Sequence, residues 1–307
     1  MPLLRSLYSR PMLLLVLTTL MWSGNAVASK LAVGHVSPMV IVFLRWMIVA
    51  GLMSLIAWRE LVASWEAIRP HLVRISLMAA FGFSGFNGLF YLAAHNTTAV
   101  NIGILQGSIP MIVVVGAFFL FRSRVTLIQF IGILLTLLGV FLVASQGSLQ
   151  VLLNLQINPG DALMLVAALF YAGYTLALRN RPKVPALAFF AVMAFVAALV
   201  SLPMLAVEYS QEMLVWPTVQ GWLVILYIAL CPSFLAQIFF MRGVELIGPN
   251  RAGVFVNLVP VFSAAMAIIV LGEEFALYHG AALVLVLGGI WIAEKFAWEK
   301  RFKKVEA

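Results

Sequence analysis

The chain has 307 residues, of which 64% are hydrophobic and 10% are charged, and its mean hydropathy is +1.08. Soluble domains carry about 45–50% apolar and about 25% charged residues, so this composition excludes a water-soluble enzyme and a disordered chain. Apolar runs of about 20 residues predict membrane-spanning helices, since the strands of a membrane β-barrel alternate apolar and polar residues. In such a chain the net charge of +8 indicates orientation in the membrane and not a nucleic-acid partner. The single cysteine, Cys231, excludes a disulfide framework.

Ten apolar stretches follow one another along the chain and predict an all-α integral membrane protein with ten transmembrane helices. The stretches lie at about 12–34, 38–58, 71–95, 98–121, 126–145, 160–179, 184–207, 217–241, 249–271 and 276–297. Prolines mark many of the starts, among them Pro11, Pro38 and Pro159, because a first helical turn needs no N–H donor.

The basic residues orient these helices. With ten spans, all but two of the 19 Lys and Arg fall on the face that carries both termini, and the exceptions are Lys30 and Arg45. Because basic residues are retained on the cytoplasmic side, both termini are predicted to be cytoplasmic. One alternative stays open: Ala26-Val27-Ala28 after an apolar run resembles a signal-peptide cleavage site, and cleavage would leave nine spans.

The two halves of the chain resemble each other at a shift of 150 residues. This shift pairs Pro110 with Pro260 and Gly103 with Gly253, and such residues fix backbone behaviour as well as hydropathy. We therefore expect two five-helix repeats, residues 1–147 and 148–307. Because five is an odd number of crossings, the second repeat is expected to be inverted, as in many secondary transporters.

Polar and aromatic residues recur near the middle of corresponding helices in both halves. Polar groups inside a bilayer need a partner, a water-filled cavity or a substrate, so this set predicts a substrate cavity between the halves. The candidate substrate-binding residues are Trp22, Asn25, Asn87, Tyr91, Gln106, Tyr171, Tyr174, Gln237 and Asn257. The alternative for each amide is a hydrogen bond that ties two helices together. Kinks or gating joints are predicted at Pro110, Pro232, Pro260, Gly103 and Gly253.

Motifs of other function classes do not occur in the sequence. It contains no HExxH, GxSxG or P-loop motif, so we expect no enzyme activity, no metal and no cofactor. The four histidines lie near predicted helix ends, where solvated side chains are expected. No carboxylate falls at a predicted bilayer midplane, which favours a neutral or zwitterionic substrate over a cation. Arg45, about 10 Å into its helix, is expected to snorkel outward or to cap the interior of the bundle, and direct binding of a substrate anion is the alternative.

Several motifs together resemble one transporter family. The stretch LMWSGNAVASK, followed by Ser37-Pro38 and Leu44-Arg45, is similar to the first two helices of the EamA-type members of the drug/metabolite transporter superfamily. The turn LGEE at 271–274 and the two proline segments near 110 and 260 are also similar to that family. Within it, the chain looks most like the YddG aromatic amino-acid exporters of the bacterial inner membrane. The resemblance implies ten helices, a central cavity and export of amino acids and related metabolites.

The sequence and the resemblance together predict a multi-pass secondary transporter of the bacterial inner membrane that exports aromatic or other neutral amino acids by alternating access. Its expected partners are a small-molecule substrate and the lipid bilayer, without nucleic acid, and a monomer would suffice. A proton-coupled exporter of drugs or cationic metabolites is one alternative, and it would depend on a carboxylate such as Glu245. A membrane scaffold that transports nothing is the other, and it would have no solute-accessible cavity.

Overall fold

The computed structural model describes residues 8–123, 125–148, 150–151 and 158–302. This part of the chain is helical and contains no β-strand. The predicted boundary between the repeats, at 147–148, adjoins residues 149 and 152–157, which lie outside the described residues, as do the terminal residues 1–7 and 303–307.

Nine of the described helices are long and apolar enough to cross a membrane. They are α1 (Pro11–Ala32), α2 (Pro38–Ile56), α3 (Trp65–Ala94), α4 (Ala99–Phe121), α5 (Leu127–Ala144), α6 (Pro159–Asn180), α7 (Ala186–Ser210), α8 (Val219–Ile247) and α9 (Arg251–Leu271). The last helix, α10 (Leu277–Phe302), has a shorter apolar part, Leu277–Ala293, because charged residues follow it in the sequence. A short helix, Trp58–Ala63, connects α2 to α3.

Helix starts follow local chemistry. Pro11 lies in the first turn of α1, and the hydroxyl oxygens of Thr98 and Thr126 cap α4 and α5 by accepting backbone N–H groups. Helix α3 begins ahead of the predicted apolar stretch, because its first turns continue into polar surroundings where Glu66 and Arg69 are exposed.

Helices α4 and α9 are both interrupted near the middle. Helix α4 breaks at residues 107–108, just before Pro110, and α9 breaks at residues 257–258, just before Pro260. A proline in a helix lacks the N–H that the preceding turn would use, which accounts for the interruptions. The two breaks are related by the shift of 150 residues seen in the sequence.

Helices α3 and α8 contain a different irregularity, a π-helical segment. The segments are Ala80–Gly85 in α3 and Ala229–Leu235 in α8, and Pro232 lies inside the second. They too fall in corresponding parts of the two halves. Because π-helical turns leave backbone carbonyls without their usual partners, they provide polar positions inside an apolar bundle.

The helix contacts have the symmetry of two related halves. Helix α1 packs against α8 and α6 packs against α3, while α2 packs against α7, α4 against α9, and α5 against α10. Exchanging the two halves replaces α1–α5 by α6–α10 and the reverse. Under this exchange the α1–α8 contact becomes the α6–α3 contact, and each of the other three contacts becomes itself. The packing therefore fits a pseudo-two-fold axis between the halves.

Helices α5 and α10 touch through their backbones. A Cβ atom added to Gly132 would lie 2.5 Å from the carbonyl oxygen of Gly289, and one added to Gly289 would lie 2.5 Å from that of Gly132. Gly139 faces α10 in the same way, with the carbonyl oxygen of Ala282 3.0 Å from its Cβ position. Only glycine allows two helices to approach so closely, so these residues define the α5–α10 seam.

Candidate substrate-binding site

A hydrogen-bonded polar cluster joins α1, α2 and α3. The Arg45 Nη1 group donates to Asn87 Oδ1 and to the hydroxyl of Tyr91, each at 2.5 Å, and the Tyr91 hydroxyl donates to Asn25 Oδ1 at 3.1 Å. The Asn87 Nδ2 group donates to the carbonyl oxygen of Phe83 at 2.5 Å. We call Asn25, Arg45, Asn87 and Tyr91 the Arg45 cluster; all four residues are buried. It contains three of the nine predicted substrate-binding residues.

The position of Arg45 corrects the expectation that its side chain snorkels outward. The residue is only 6% exposed, so its guanidinium does not snorkel to the membrane surface but lies inside the bundle. Among the described side chains, no carboxylate comes within 4.0 Å of it. Its partners are a neutral amide, a neutral phenol and the faces of two aromatic rings, with the guanidinium carbon 5.1 Å from the Trp46 ring centroid and 5.9 Å from that of Tyr91.

An aromatic wall continues from the Arg45 cluster to α6. The Trp46 and Phe83 rings are stacked with centroids 4.5 Å apart, and Phe83 contacts Tyr174 edge-on at 5.5 Å. Tyr174 contacts Tyr171 at 5.4 Å, and Tyr171 contacts Phe86 at 5.0 Å. These five residues form the aromatic wall. It brings Tyr171 and Tyr174, two more of the predicted residues that lie three positions apart on α6, into a single chain of ring contacts with α2 and α3.

The other predicted residues lie elsewhere in the bundle. Trp22 donates its indole N–H to the carbonyl oxygen of Pro232 at 3.1 Å and therefore ties α1 to the π-helical segment of α8. Gln106 stands at the break in α4, and its buried Nε2 group has no hydrogen-bond partner among the described atoms. Gln237 is half-buried on α8, and Asn257 stands at the break in α9. For all nine predicted residues, a role in substrate binding stays a prediction.

An apolar cavity of about 430 Å³ opens between α1, α8 and α9. Its lining includes Gly24, Val27, Tyr227 and Met266. None of the nine predicted substrate-binding residues lines it. This cavity is therefore a different feature from the Arg45 cluster and the aromatic wall.

Polar contacts between helices gather at one end of the bundle, where α1 ends and α2 begins; we call it the Lys30 end. The Lys30 Nζ group donates to the carbonyl oxygen of Ala94 at 2.7 Å, at the end of α3. The Glu208 carboxylate accepts the Ser37 hydroxyl at 2.6 Å, and that of Glu273 accepts the first two backbone N–H groups of α4 at 2.8 and 3.0 Å. Carboxylates at helix N-termini and an ammonium group at a C-terminus interact favourably with the helix dipoles. The bonds of Glu208 and Glu273 join the two halves at the Lys30 end, whereas the Lys30 bond joins α1 to α3 within the first half.

The one aspartate of the sequence is fully buried at the same end. Asp161 accepts the Thr97 hydroxyl and two contacts of 3.2 Å from Asn101 Nδ2. The Asn101 oxygen lies 3.1 Å from His279 Nε2, while His279 Nδ1 accepts the backbone N–H of Ala276 at 3.0 Å. The expectation of a solvated histidine is wrong at His279, which is 3% exposed, because its ring joins this network. Sequence reasoning missed the network, although the lone aspartate in an apolar stretch was a signal for it.

The crossing of α4 and α9 is tight toward the Lys30 end and open toward the other end. A Cβ atom on Gly103 would collide with the side chain of Ser263. At Gly253, its counterpart in the second half, no described atom lies within 4 Å of the Cβ position. Two positions that are equivalent in the sequence therefore have different surroundings, and only Gly103 stands at a close helix approach.

The model of the EamA-like transporter family matches the chain twice, over residues 9–145 and 158–294. The chain belongs to the EamA-like transporter family. Two uncharacterized transporters of Bacillus subtilis (strain 168) are similar to this family member: YyaM is 26% identical over 86% of this chain and 87% of its own, and YetK is 27% identical over 88% and 82%. An uncharacterized transporter of Archaeoglobus fulgidus is 25% identical over 92% of this chain and 97% of its own.

The chain has the same fold as one protein whose crystal structure has been solved. The TM-score between the two is 0.66 and their sequence identity is 20%, and the match covers 93% of this chain and 97% of the other protein's chain. The apolar helices and the related transporters make this family member a multi-pass membrane protein that handles a small-molecule substrate in a lipid environment. They favour transport over enzyme activity.

Proposed function

We propose that this transporter has ten membrane-spanning helices arranged as two five-helix repeats of opposite orientation, residues 1–147 and 148–307. The double match of the family model supports the division. The paired breaks in α4 and α9, the paired π-helical segments in α3 and α8, and the symmetric helix contacts support it independently. Helix α10 is the tenth span, and the asymmetry of the basic residues supports the cytoplasmic position of both termini in a bacterial inner membrane.

We further propose that it exports aromatic and other neutral amino acids by alternating access. The observation that carries this proposal is the contact between the aromatic wall and the Arg45 cluster, where Arg45 and Trp46 are neighbours on α2. A site with an aromatic surface on one side and hydrogen-bonding groups on the other suits a solute with a ring and a polar head. The remaining predicted residues, Trp22, Gln106, Gln237 and Asn257, would complete the site as the helices rearrange.

The α4–α9 crossing supports an assignment of the conformation. In the proposed orientation the Lys30 end faces the outside, where Gly103 is tightly packed, and Gly253 faces the cytoplasm with open surroundings. The described conformation would thus be closed to the outside. Transport requires the opposite arrangement as well, with the bonds of the Lys30 end broken and the crossing tight at Gly253.

Counterflow in proteoliposomes tests the substrate. Vesicles loaded with unlabelled phenylalanine should accumulate labelled phenylalanine or tryptophan when they contain the protein, and empty vesicles should not. Replacing Tyr171 by Leu removes one ring from the aromatic wall and should raise KM about 2–10-fold, which is the range for one aromatic contact. Phe119→Leu removes a ring that is 74% exposed on the lipid side and should leave KM unchanged. Absence of flux for phenylalanine, tryptophan and other neutral amino acids would refute the substrate assignment.

Two alternatives have their own tests. A proton-coupled exporter of cations needs a carboxylate in a desolvated site. Glu245 is exposed and is paired with Arg242 at 3.0 Å. Loss of proton-dependent transport in Glu245→Gln would nevertheless favour the proton-coupled exporter.

A membrane scaffold that transports nothing predicts a different result. Cysteines introduced at Asn87 and Gln237, after replacement of Cys231, should react with water-soluble maleimides from neither side of the membrane. Reaction at either position supports a solute pathway.

A further inference from the structure

A buried cation without an anion stands at the centre of the site. Taking a guanidinium out of water costs several kcal/mol unless an opposite charge and hydrogen bonds compensate for the transfer. Arg45 has hydrogen-bond acceptors in Asn87 and Tyr91, but both are neutral, and no described carboxylate lies within 4.0 Å of it. The arrangement is thus organised around a positive charge that the described side chains do not neutralise.

Two hydrogen-bond donors next to this charge also lack acceptors. The Arg45 Nε group and the indole Nε1 group of Trp46 are both buried and without a partner among the described atoms. The two residues are consecutive on α2, and the guanidinium carbon lies 5.1 Å from the Trp46 ring centroid. Buried donors are almost always paired in folded proteins, so two orphans in one small region indicate a missing acceptor. A carboxylate supplies both the negative charge and the acceptor oxygens.

We propose that Arg45 is the receptor for the carboxylate of the transported amino acid, with Trp46 Nε1 as a second donor. This inference rests on the proposed function and makes it more specific: the substrate must carry a free carboxylate, and its side chain lies along the aromatic wall. Asn87 and Tyr91 accept hydrogen bonds from the guanidinium in the described conformation, so they act as positioning residues. Tyr91 is in turn held by Asn25 on α1, which couples the receptor to the first helix.

Competition in the counterflow assay tests the carboxylate directly on the unmodified protein. Three analogues share the phenyl ring: 3-phenylpropionate keeps the carboxylate, while phenylalaninamide and phenethylamine lack it. 3-Phenylpropionate should compete with phenylalanine, and the other two analogues should compete about 10–100-fold more weakly, as expected for the loss of a charge-assisted hydrogen bond in a desolvated site. Equal competition by the amide would overturn the inference and leave amino-acid transport standing. If the protein gives no amino-acid flux, calorimetric titration of the purified protein with 3-phenylpropionate replaces the competition. Binding of 3-phenylpropionate, but not of phenethylamine, would then keep the anion site and overturn the proposed function.

Variants of Arg45 separate recognition from folding. In Arg45→Gln the preference for phenylalanine over phenylalaninamide should fall toward 1, while Arg45→Lys, which keeps the charge, should retain part of it. A structural role alone would lower transport of both ligands together and leave their ratio unchanged. Arg74→Gln is the matched control, because Arg74 donates to the Ala177 carbonyl oxygen away from the cluster and should keep the wild-type ratio. An unchanged ratio in a folded Arg45→Gln protein would refute the assignment.

Discussion

The α5–α10 seam offers a sharp test of the packing. In Gly289→Ala the new Cβ atom would lie 2.5 Å from the Gly132 carbonyl oxygen and 2.5 Å from Thr136 Oγ1, so the two backbones must move apart. Overpacking of this kind costs about 1–3 kcal/mol. Alanine also gains about 1 kcal/mol over glycine in helix propensity, which partly offsets this cost.

A neighbouring glycine isolates the packing contribution. Gly288 precedes Gly289 on α10, and no described atom lies within 4 Å of its Cβ position. Gly288→Ala therefore gains the same propensity without the clash. The two variants should differ by about 1–3 kcal/mol in the free energy of unfolding, which is about 5–150-fold in the unfolding equilibrium.

Reversible unfolding in mixed micelles of dodecyl maltoside and SDS, followed by the fluorescence of the 8 tryptophans, measures this difference. Gly132→Ala should destabilise the protein as well. The double variant should lose less stability than the sum of the two single losses, because one added methyl group already moves the helices apart and so relieves the clash of the other. Equal stability of Gly289→Ala and Gly288→Ala would show that the helices do not meet through their backbones.

Two further predictions concern the Lys30 end. The Glu208 carboxylate accepts the Ser37 hydroxyl and the Met39 backbone N–H in the first turn of α2. Glu208→Ala removes this cap and should lower the free energy of unfolding by about 1–2 kcal/mol, whereas Gln211→Ala, an exposed change just after the end of α7, should have little effect in the same micelle titration. Similar losses in the two variants would contradict the capping role. Asp161→Asn removes a charged acceptor and should speed amide hydrogen exchange of residues 97–101 by about 10-fold at neutral pH, measured by mass spectrometry on the intact protein in nanodiscs. Unchanged exchange would mean that Asp161 does not hold this end closed.

Much of the helical framework could be predicted because its determinants are local. Pro11, Pro38 and Pro159 start helices where the sequence places them, and Pro110 and Pro260 follow breaks in α4 and α9. Hydropathy alone misplaced the start of α3, since a helix continues past its apolar part wherever charged side chains can reach water. The π-helical segments were not predicted, because one extra residue in a turn leaves no clear trace in composition.

The site was harder to predict, because hydropathy gives the depth of a residue in the membrane but not the direction in which it points. Asn25, Asn87 and Tyr91 were expected in one site and do lie together, but the sequence did not show that Arg45 joins them. The link from Asp161 through Asn101 to His279 depends on three helices far apart in the chain. Such contacts arise only from packing, and a single sequence carries no direct signal for them.

The α5–α10 seam also has a practical consequence for following the transport cycle. No side chain stands between Gly132 and Gly289, so no rotamer change can let these two helices slide or separate. Spin labels on the lipid faces of α5 and α10 should keep one narrow distance distribution in pulsed electron paramagnetic resonance, with and without solute. The α5–α10 pair would then serve as a fixed reference frame within the molecule, against which the displacements of α1, α4 and α9 can be measured.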